Sequence, residues 1–347
     1  MAPAIPKDSL VLVTGANGYV GSHVVNKFLE AGYRVRGTTR DLKKLQGIIG
    51  TWETQYGKDR FEAVVVPDMS VEGAFDASMQ GASAVVHVAG DVSFNPDPNL
   101  VIPVIVGGIK SVLASAAKTP SIKRFVYTGS STAVSDSILT GEKHLDSSSW
   151  NEEALVKAWN PPPYGPEHAN NVYAASKVAA EKALWKFVEE KKPGFVANCV
   201  LPGCVWGRFL APGLNITTGG LLLQLLKGEA VQYPPSNLSW KALKLIIPLG
   251  WFVDVEDLGL LHVAAAVEED VKGERIFGYA DKFTWNRVLR ALRTIFPDRK
   301  IIDDYTDEKV QDVTTVSTER AVELLKRFGQ DGWTSLEKSI ENTVKGF

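Results

Sequence analysis

Tyr173-Ala-Ala-Ser-Lys177 carries the most suggestive spacing in the chain. Two residues four apart on a helix share a face. An ammonium beside a phenol favours phenolate, so the phenol gives up its proton more readily. A positively charged ring bound beside the phenol would act in the same sense, and lysine can also hold hydroxyl groups of a bound molecule. Such a pair can protonate or deprotonate a carbinol oxygen as a general acid–base. A third group should hydrogen-bond the same oxygen. Thr128-Gly129-Ser130-Ser131 closes an apolar run, and the carboxyl edge of a parallel sheet is where ligands bind. Ser130 is the choice there, with Ser131 as the alternate.

A cofactor turn stands near the start of the chain. In Thr14-Gly15-Ala16-Asn17-Gly18-Tyr19-Val20-Gly21 three glycines recur every third position. The first makes the turn, the second admits a pyrophosphate, and the third lets helix and strand pack closely. The helix that follows offers free N–H groups and a partial positive charge to an anion. The turn lies between a predicted strand and a predicted helix, the context this fingerprint needs.

An NAD site commonly has an acid at the end of the second strand. Here that strand reads Arg34-Val35-Arg36-Gly37-Thr38-Thr39-Arg40. Alternation puts residues 36, 38 and 40 on one side, and arginine suits a planar grip on phosphate. The expectation is NADPH, its 2′-phosphate held chiefly by Arg40 with Arg36 in support. Asp68 and Met69 follow the third strand, where Asp68 could accept from the adenine amino group. Ala89 and Gly90 follow the fourth and would let backbone approach the ribose. Asn17, Tyr19, Val20 and Thr128 complete the candidate cradle. Pro202, Gly203 and Val205, after the sixth strand, would line the nicotinamide side.

These groups need a scaffold, and the hydrophobic pattern supplies one. Strands are predicted over 9–13, 33–39, 61–66, 84–88, 124–128 and 195–201. Helices are predicted over 18–29, 42–56, 71–79, about 105–117 and 172–190. Alternation of this kind implies right-handed crossovers and a mainly parallel, doubly wound sheet. The pattern degrades after Leu201, where Pro and Gly are frequent. Shorter elements follow at 257–266, 275–279 and 284–295. A last helix over 335–344 puts Leu336, Ile340 and Val344 on one face. The expected organisation is a Rossmann-type domain over 1–201 and a smaller mixed α/β substrate lobe over 202–347, some segments of which return to the first domain.

Composition narrows the class. The chain has 347 residues, 45% hydrophobic and 22% charged, with a formal net charge of −2. That balance gives no bias toward nucleic acid or an anionic membrane. No run approaches the ~18 apolar residues of a membrane span. The first residues lack the apolar stretch of a signal peptide, so a cytoplasmic setting is the expectation. Cys199 and Cys204 are too few for a disulfide framework or a zinc site, and both are expected to be buried thiols. The five histidines show no ligand spacing, so no metal is expected. The expected partner is a small carbonyl compound, with the protein a monomer or homodimer. Val92, Phe94, Trp206 and Trp240 are candidate substrate contacts beside Ser130 and Tyr173, in a pocket suited to aryl ketones, aldehydes and keto esters.

In their order, T-G-A-N-G-Y-V-G at 14–21, H-V-A-G at 87–90, T-G-S-S at 128–131 and Y-A-A-S-K at 173–177 resemble the extended short-chain dehydrogenase/reductase superfamily. Within it the chain is most similar to the dihydroflavonol-reductase-like branch and its fungal NADPH-dependent aldehyde and ketone reductases. V-R-G-T-T-R at 35–40, D-L-G-L-L-H at 257–262 and G-W-T-S-L-E-K-S-I at 332–340 extend that likeness across nearly the whole chain. The resemblance implies a Rossmann domain, a small C-terminal substrate lobe and reduction of carbonyls to chiral alcohols. One departure is Val106-Gly107-Gly108, where many members carry an Asn before a Gly-Thr pair. The rival enzyme readings on this scaffold are a dihydroflavonol- or 3-hydroxysteroid-type dehydrogenase and a nucleotide-sugar epimerase; the epimerase would need tight NAD retention, against which Arg36 and Arg40 argue. A sensor of the NADP(H) ratio would have no need of Ser130, Tyr173 and Lys177 together.

Overall fold

The computed structural model describes residues 2–136, 142–211, 218–227, 232–233, 236–237, 249–304 and 313–345. Its centre is a parallel sheet of seven strands. These are β1 (Leu10–Thr14), β2 (Arg34–Thr39), β3 (Phe61–Val65), β4 (Ala82–His87), β5 (Arg124–Thr128), β6 (Val196–Pro202) and β9 (Arg275–Gly278). The order across the sheet is β9-β6-β5-β4-β1-β2-β3, and every neighbouring pair is parallel. β1 and β5 are buried along their whole length. Burial on both faces is why these strands are continuous apolar runs rather than alternating ones.

The chain builds outward from β1 to β3, then returns to lay β4 on the other side of β1. That reversal opens a crevice at the carboxyl ends of β1 and β4, the ligand position in such sheets. Helices cover both faces. On one side α1 (Tyr19–Glu30), α2 (Gln46–Tyr56), α7 (Val255–Val267) and α9 (Glu319–Arg327) share a core that includes Val24, Phe28, Leu258 and Leu324. On the other, α3 (Pro98–Lys118), α4 (Glu152–Ala158) and α5 (Ala169–Lys191) share one that includes Ile109, Val112, Ala175 and Val178.

A second, mixed sheet holds β7 (Cys204–Trp206), β8 (Leu249–Asp254) and β10 (Asp281–Thr284) in the order β10-β8-β7. β8 pairs antiparallel with β10 and parallel with β7. Helices α6 (Thr218–Lys227), α8 (Trp285–Ile295) and α10 (Leu336–Val344) close a separate core. Leu336, Ile340 and Val344 are each fully buried, so the apolar stripe of the last helix faces inward as its spacing predicts. Between these pieces the chain goes back to the main sheet, where α7 packs beside α1 and β9 extends the sheet next to β6.

Several elements differ from their expected form. The helix expected over 71–79 is a series of turns. Gly73 adopts φ +77°, outside the helical region, and interrupts the ladder. The helix expected over 42–56 is split into a 3₁₀ turn, Leu42–Lys44, capped by the Asp41 carboxylate, and α2. α3 begins seven residues earlier than its periodicity suggests. Asp97 accepts from the Asn99 N–H as an N-cap, and Pro98 takes the first helical position, where a missing N–H costs nothing. With 21 residues, α3 is long and apolar enough to cross a membrane by composition alone, contrary to the expectation above. Its Ile105, Ile109, Val112 and Leu113 are buried in the second core, so here it is a layer helix packed on α5.

α5 carries both Tyr173 and Lys177, and an interior ion pair anchors it. Glu181 is fully buried and accepts from Arg275 of β9 at 2.6 Å. Arg275 also donates to the Ser147 and Ser149 carbonyls and stacks on Trp150. With its donors distributed in this way, the buried arginine leaves no charge uncompensated.

Candidate active site

The crevice between β1 and β4 is built backbone first. Gly15 adopts φ +70°, and a Cβ there would lie 3.0 Å from the Ala89 Cα. A Cβ on Gly21 would sit 2.1 Å from the Gly15 carbonyl oxygen, so α1 could not close on the turn with any side chain at that position. Thr14 ties the two strand ends together. Its Oγ1 accepts from the Val88 and Ala89 N–H groups and lies 2.8 Å from His87 Nδ1. With both lone pairs taken by amides, its proton is left for that nitrogen. Burial, and then the Lys177 ammonium, push His87 down to about 3, so Lys177 faces a neutral imidazole.

The start of α1 is left open. Gly18 is its N-cap and makes no side-chain capping bond, and the first turn holds no acidic residue. Free N–H groups at such an end suit a phosphate. The residues therefore fit a dinucleotide on this structure's own geometry.

All three groups predicted for proton chemistry line the same cleft as the glycine turn. Its volume is about 1290 Å³, more than the roughly 300–1,000 Å³ of a site for one small ligand. Ser130, Tyr173 and Lys177 are together there with Gly15, Asn17, Gly18, Tyr19, Val20 and Gly21. Met69, Ala89, Gly90, Pro202, Gly203 and Val205 line it too. Lys177 is buried, its Nζ 5.8 Å from the Tyr173 ring centre and 5.9 Å from that of Tyr127. A Cβ at Gly90 would come within 3.4 Å of that Nζ. Phe94 lies against Tyr173, ring centres 4.8 Å apart and 30° from parallel.

Two expected residues perform differently within the cleft. Thr128 sends its hydroxyl away from it, to His262 Nε2 at 2.7 Å. His262 Nδ1 is 2.8 Å from the Leu258 carbonyl and must donate to it, so Nε2 is the nitrogen that accepts. Burial holds His262 down at about 4, which keeps that arrangement neutral. Asp68 lines the cleft, but its carboxylate accepts from the N–H and hydroxyl of Ser70 within its own turn.

Two others do not belong to the site. Arg36 is absent from the lining; its guanidinium donates to the Glu62 carboxylate and to the carbonyls of Ser78 (2.7 Å) and Gln80 (2.8 Å). It sits four residues before Arg40, about 13 Å further back along the strand direction. Trp206 is 1% exposed, packed among Phe252, Phe283 and Trp285 in the second core. Trp240 lies outside the described residues. Val92 and Phe94 do line the cleft. Cys204 lines it as well and is half-buried rather than enclosed like Cys199.

The cleft also holds residues that local pattern did not single out. Lys44 stands with Arg40 at the end where the β2 strand opens; the Lys43-Lys44 run after a capping Asp41 is its only sequence signal. Thr132, Asn170, Leu221, Trp251 and Tyr279 join from five different segments. Trp251 stacks on Tyr279 with ring centres 5.8 Å apart.

Comparison with known proteins decides the lineage. Residues 11–275 match the model of the NAD dependent epimerase/dehydratase family. The chain belongs to this family. Within it, the chain is similar to aldehyde reductase 2 of Sporidiobolus salmonicolor, at 40% identity over 98% of this chain and 96% of that protein. Ketoreductase adrE of Penicillium rubens is 35% identical over 98% and 97%. Among solved structures, the yeast methylglyoxal/isovaleraldehyde reductase Gre2 complexed with NADPH matches with a TM-score of 0.76 at 26% identity, covering 96% of each chain. As a member of the epimerase/dehydratase family, of the extended short-chain dehydrogenase/reductase type, the protein is a dinucleotide-dependent oxidoreductase with a Rossmann-type sheet.

Proposed function

We propose that the protein is an NADPH-dependent carbonyl reductase that turns aldehydes and ketones, aryl ketones and keto esters among them, into chiral alcohols. The observation that carries this is the single cleft shared by the glycine turn and by Ser130, Tyr173 and Lys177. The reductase names of two relatives and the NADPH in the Gre2 structure support it.

When bound, NADPH supplies the hydride. The chain's own residues do the rest. The open end of α1 and the Gly15–Gly21 turn hold the pyrophosphate. Arg40 and Lys44 hold the 2′-phosphate, Arg40 with a planar grip and Lys44 as a point charge. Ser130 donates a hydrogen bond to the carbonyl oxygen, and Tyr173 hands its phenolic proton to that oxygen. Lys177 stabilises the phenolate that remains. Val92, Phe94, Leu221 and Trp251 form apolar walls that accept an aryl or alkyl group. The working form is a monomer or homodimer acting on a small molecule.

The test follows NADPH and NADH oxidation by the purified protein against aryl ketones, keto esters, aldehydes, dihydroflavonols and 3-keto-sterols. Turnover of simple carbonyls with NADPH far ahead of NADH is the expected result. Tight NADPH binding with no turnover of any of them would reject the reductase reading.

A further inference from the structure

Ser130 receives two hydrogen bonds from a single residue. The Thr132 N–H donates to its Oγ at 3.2 Å, and Thr132 Oγ1 lies 3.0 Å from the same oxygen. A hydroxyl owns one proton and two lone pairs. If Thr132 fills both lone pairs, the Ser130 proton has to point elsewhere, and Ser130 borders the cleft.

Thr132 is held stiffly for this task. Its carbonyl accepts from Asn151 Nδ2 at 2.9 Å, and the Asn151 N–H donates to the Ala133 carbonyl at 3.0 Å. Asn151 is itself buried and also donates to Asp136. The short turn Ser131–Ala133 is thereby pinned from outside.

We propose that Thr132 is a positioning residue that makes Ser130 a one-way donor, through the chain Thr132 Oγ1–H to Ser130 Oγ–H to the substrate's carbonyl oxygen. Donors in series polarise one another, so the terminal bond strengthens as charge grows on that oxygen. This inference rests on the reading of Ser130 as the group that hydrogen-bonds the substrate.

Four variants test it: Thr132→Val, Thr132→Ser, Ser130→Ala and the double variant of Ser130→Ala with Thr132→Val. Each is assayed for kcat and KM with a simple aldehyde and for NADPH binding by fluorescence. Thr132→Val keeps the side chain's shape and should lower kcat about 3- to 10-fold, the worth of one hydrogen bond, with NADPH binding unchanged. Thr132→Ser should recover kcat to within about twofold. Ser130→Ala should lower kcat about 100-fold or more, and adding Thr132→Val to it should change nothing further. An unchanged kcat in Thr132→Val beside a crippled Ser130→Ala overturns the positioning role alone. The same loss from Thr132→Val in both backgrounds overturns it too, because Thr132 would then act independently of Ser130. Parental kcat in Ser130→Ala would instead overturn the underlying assignment of Ser130.

Discussion

The Phe94 ring lies stacked on the Tyr173 ring, centres 4.8 Å apart, and the Phe94 backbone is left-handed at φ +53°. A phenylalanine in that region carries a penalty of about 1–3 kcal/mol, sustained only where the surroundings impose it. They do so here. Asp91, Ser93, Asn95 and Asp97 each accept, through a side-chain oxygen, the N–H two residues on. The intervening Val92 and Phe94 are left to face the cleft. Phe94→Leu should lower kcat about 5-fold, consistent with an aromatic pair of about 1 kcal/mol, and leave the KM for NADPH unchanged. Steady-state kinetics with a small aliphatic aldehyde, which has no ring to place against Phe94, make the comparison. Parental kcat would remove the stack from the mechanism.

Tyr173→Phe keeps that stack and removes only the hydroxyl. NADPH binding should persist while turnover falls by about 10²–10⁴-fold, the range for loss of a general acid. Titration of NADPH fluorescence and single-turnover assays on the same sample separate the two. A variant that still turns over would assign the proton to another group.

Arg40 and Lys44 line the cleft, whereas Arg36 is occupied by Glu62, Ser78 and Gln80. Arg40→Ala and Lys44→Ala should each raise the KM for NADPH about 10-fold or more while moving the KM for NADH little, since only NADPH presents the extra phosphate. Arg36→Ala should leave the NADPH-to-NADH ratio alone and lower the melting temperature instead. A collapse of the ratio in Arg36→Ala would contradict its placement.

Stability should fall as the medium is acidified below pH 6.5. Burial pushes His23 and His87 down to about 3 and His262 to about 4. Above pH 6.5 neither the folded nor the unfolded chain protonates them, and their contribution is fully present. Between 6.5 and about 4 the unfolded chain takes up protons that the folded one refuses, which draws the equilibrium toward unfolding. Asp254 works the other way. Burial raises it to about 7, so the folded state keeps a proton that the unfolded state sheds above about 3.8, and its penalty fades as pH drops through that window. Asp257 is raised in the same sense. With three imidazoles against two carboxyls, the melting temperature should decline from pH 7.5 to pH 5. A melting temperature that rose over that interval would show that the carboxyls dominate.

Much was legible in the residues themselves. The glycine spacing at 15, 18 and 21, the strand–helix alternation and the Tyr173–Lys177 pair depend on residues within a turn or two of one another, where backbone geometry dictates the outcome. The inward faces of the strands and of α10 follow from the same short-range periodicity. What needed the tertiary structure was the choice of partner across space. By alternation Arg36 of β2 and Arg40 just past its end fall on one side, yet Arg36 finds carbonyls 42 and 44 positions away while Arg40 reaches the cleft edge. Trp206 and Trp251 belong to strands of the same small sheet, and only Trp251 turns to the cleft while Trp206 fills the core. The Ser130–Thr132 bonds are local, but the Asn151 that stiffens them comes from the start of α4. Side-chain type and short-range pattern determined which chemistry this chain could perform. Packing between distant segments decided which of the candidate groups face the cleft, because a charge or a ring settles wherever the folded neighbours satisfy it.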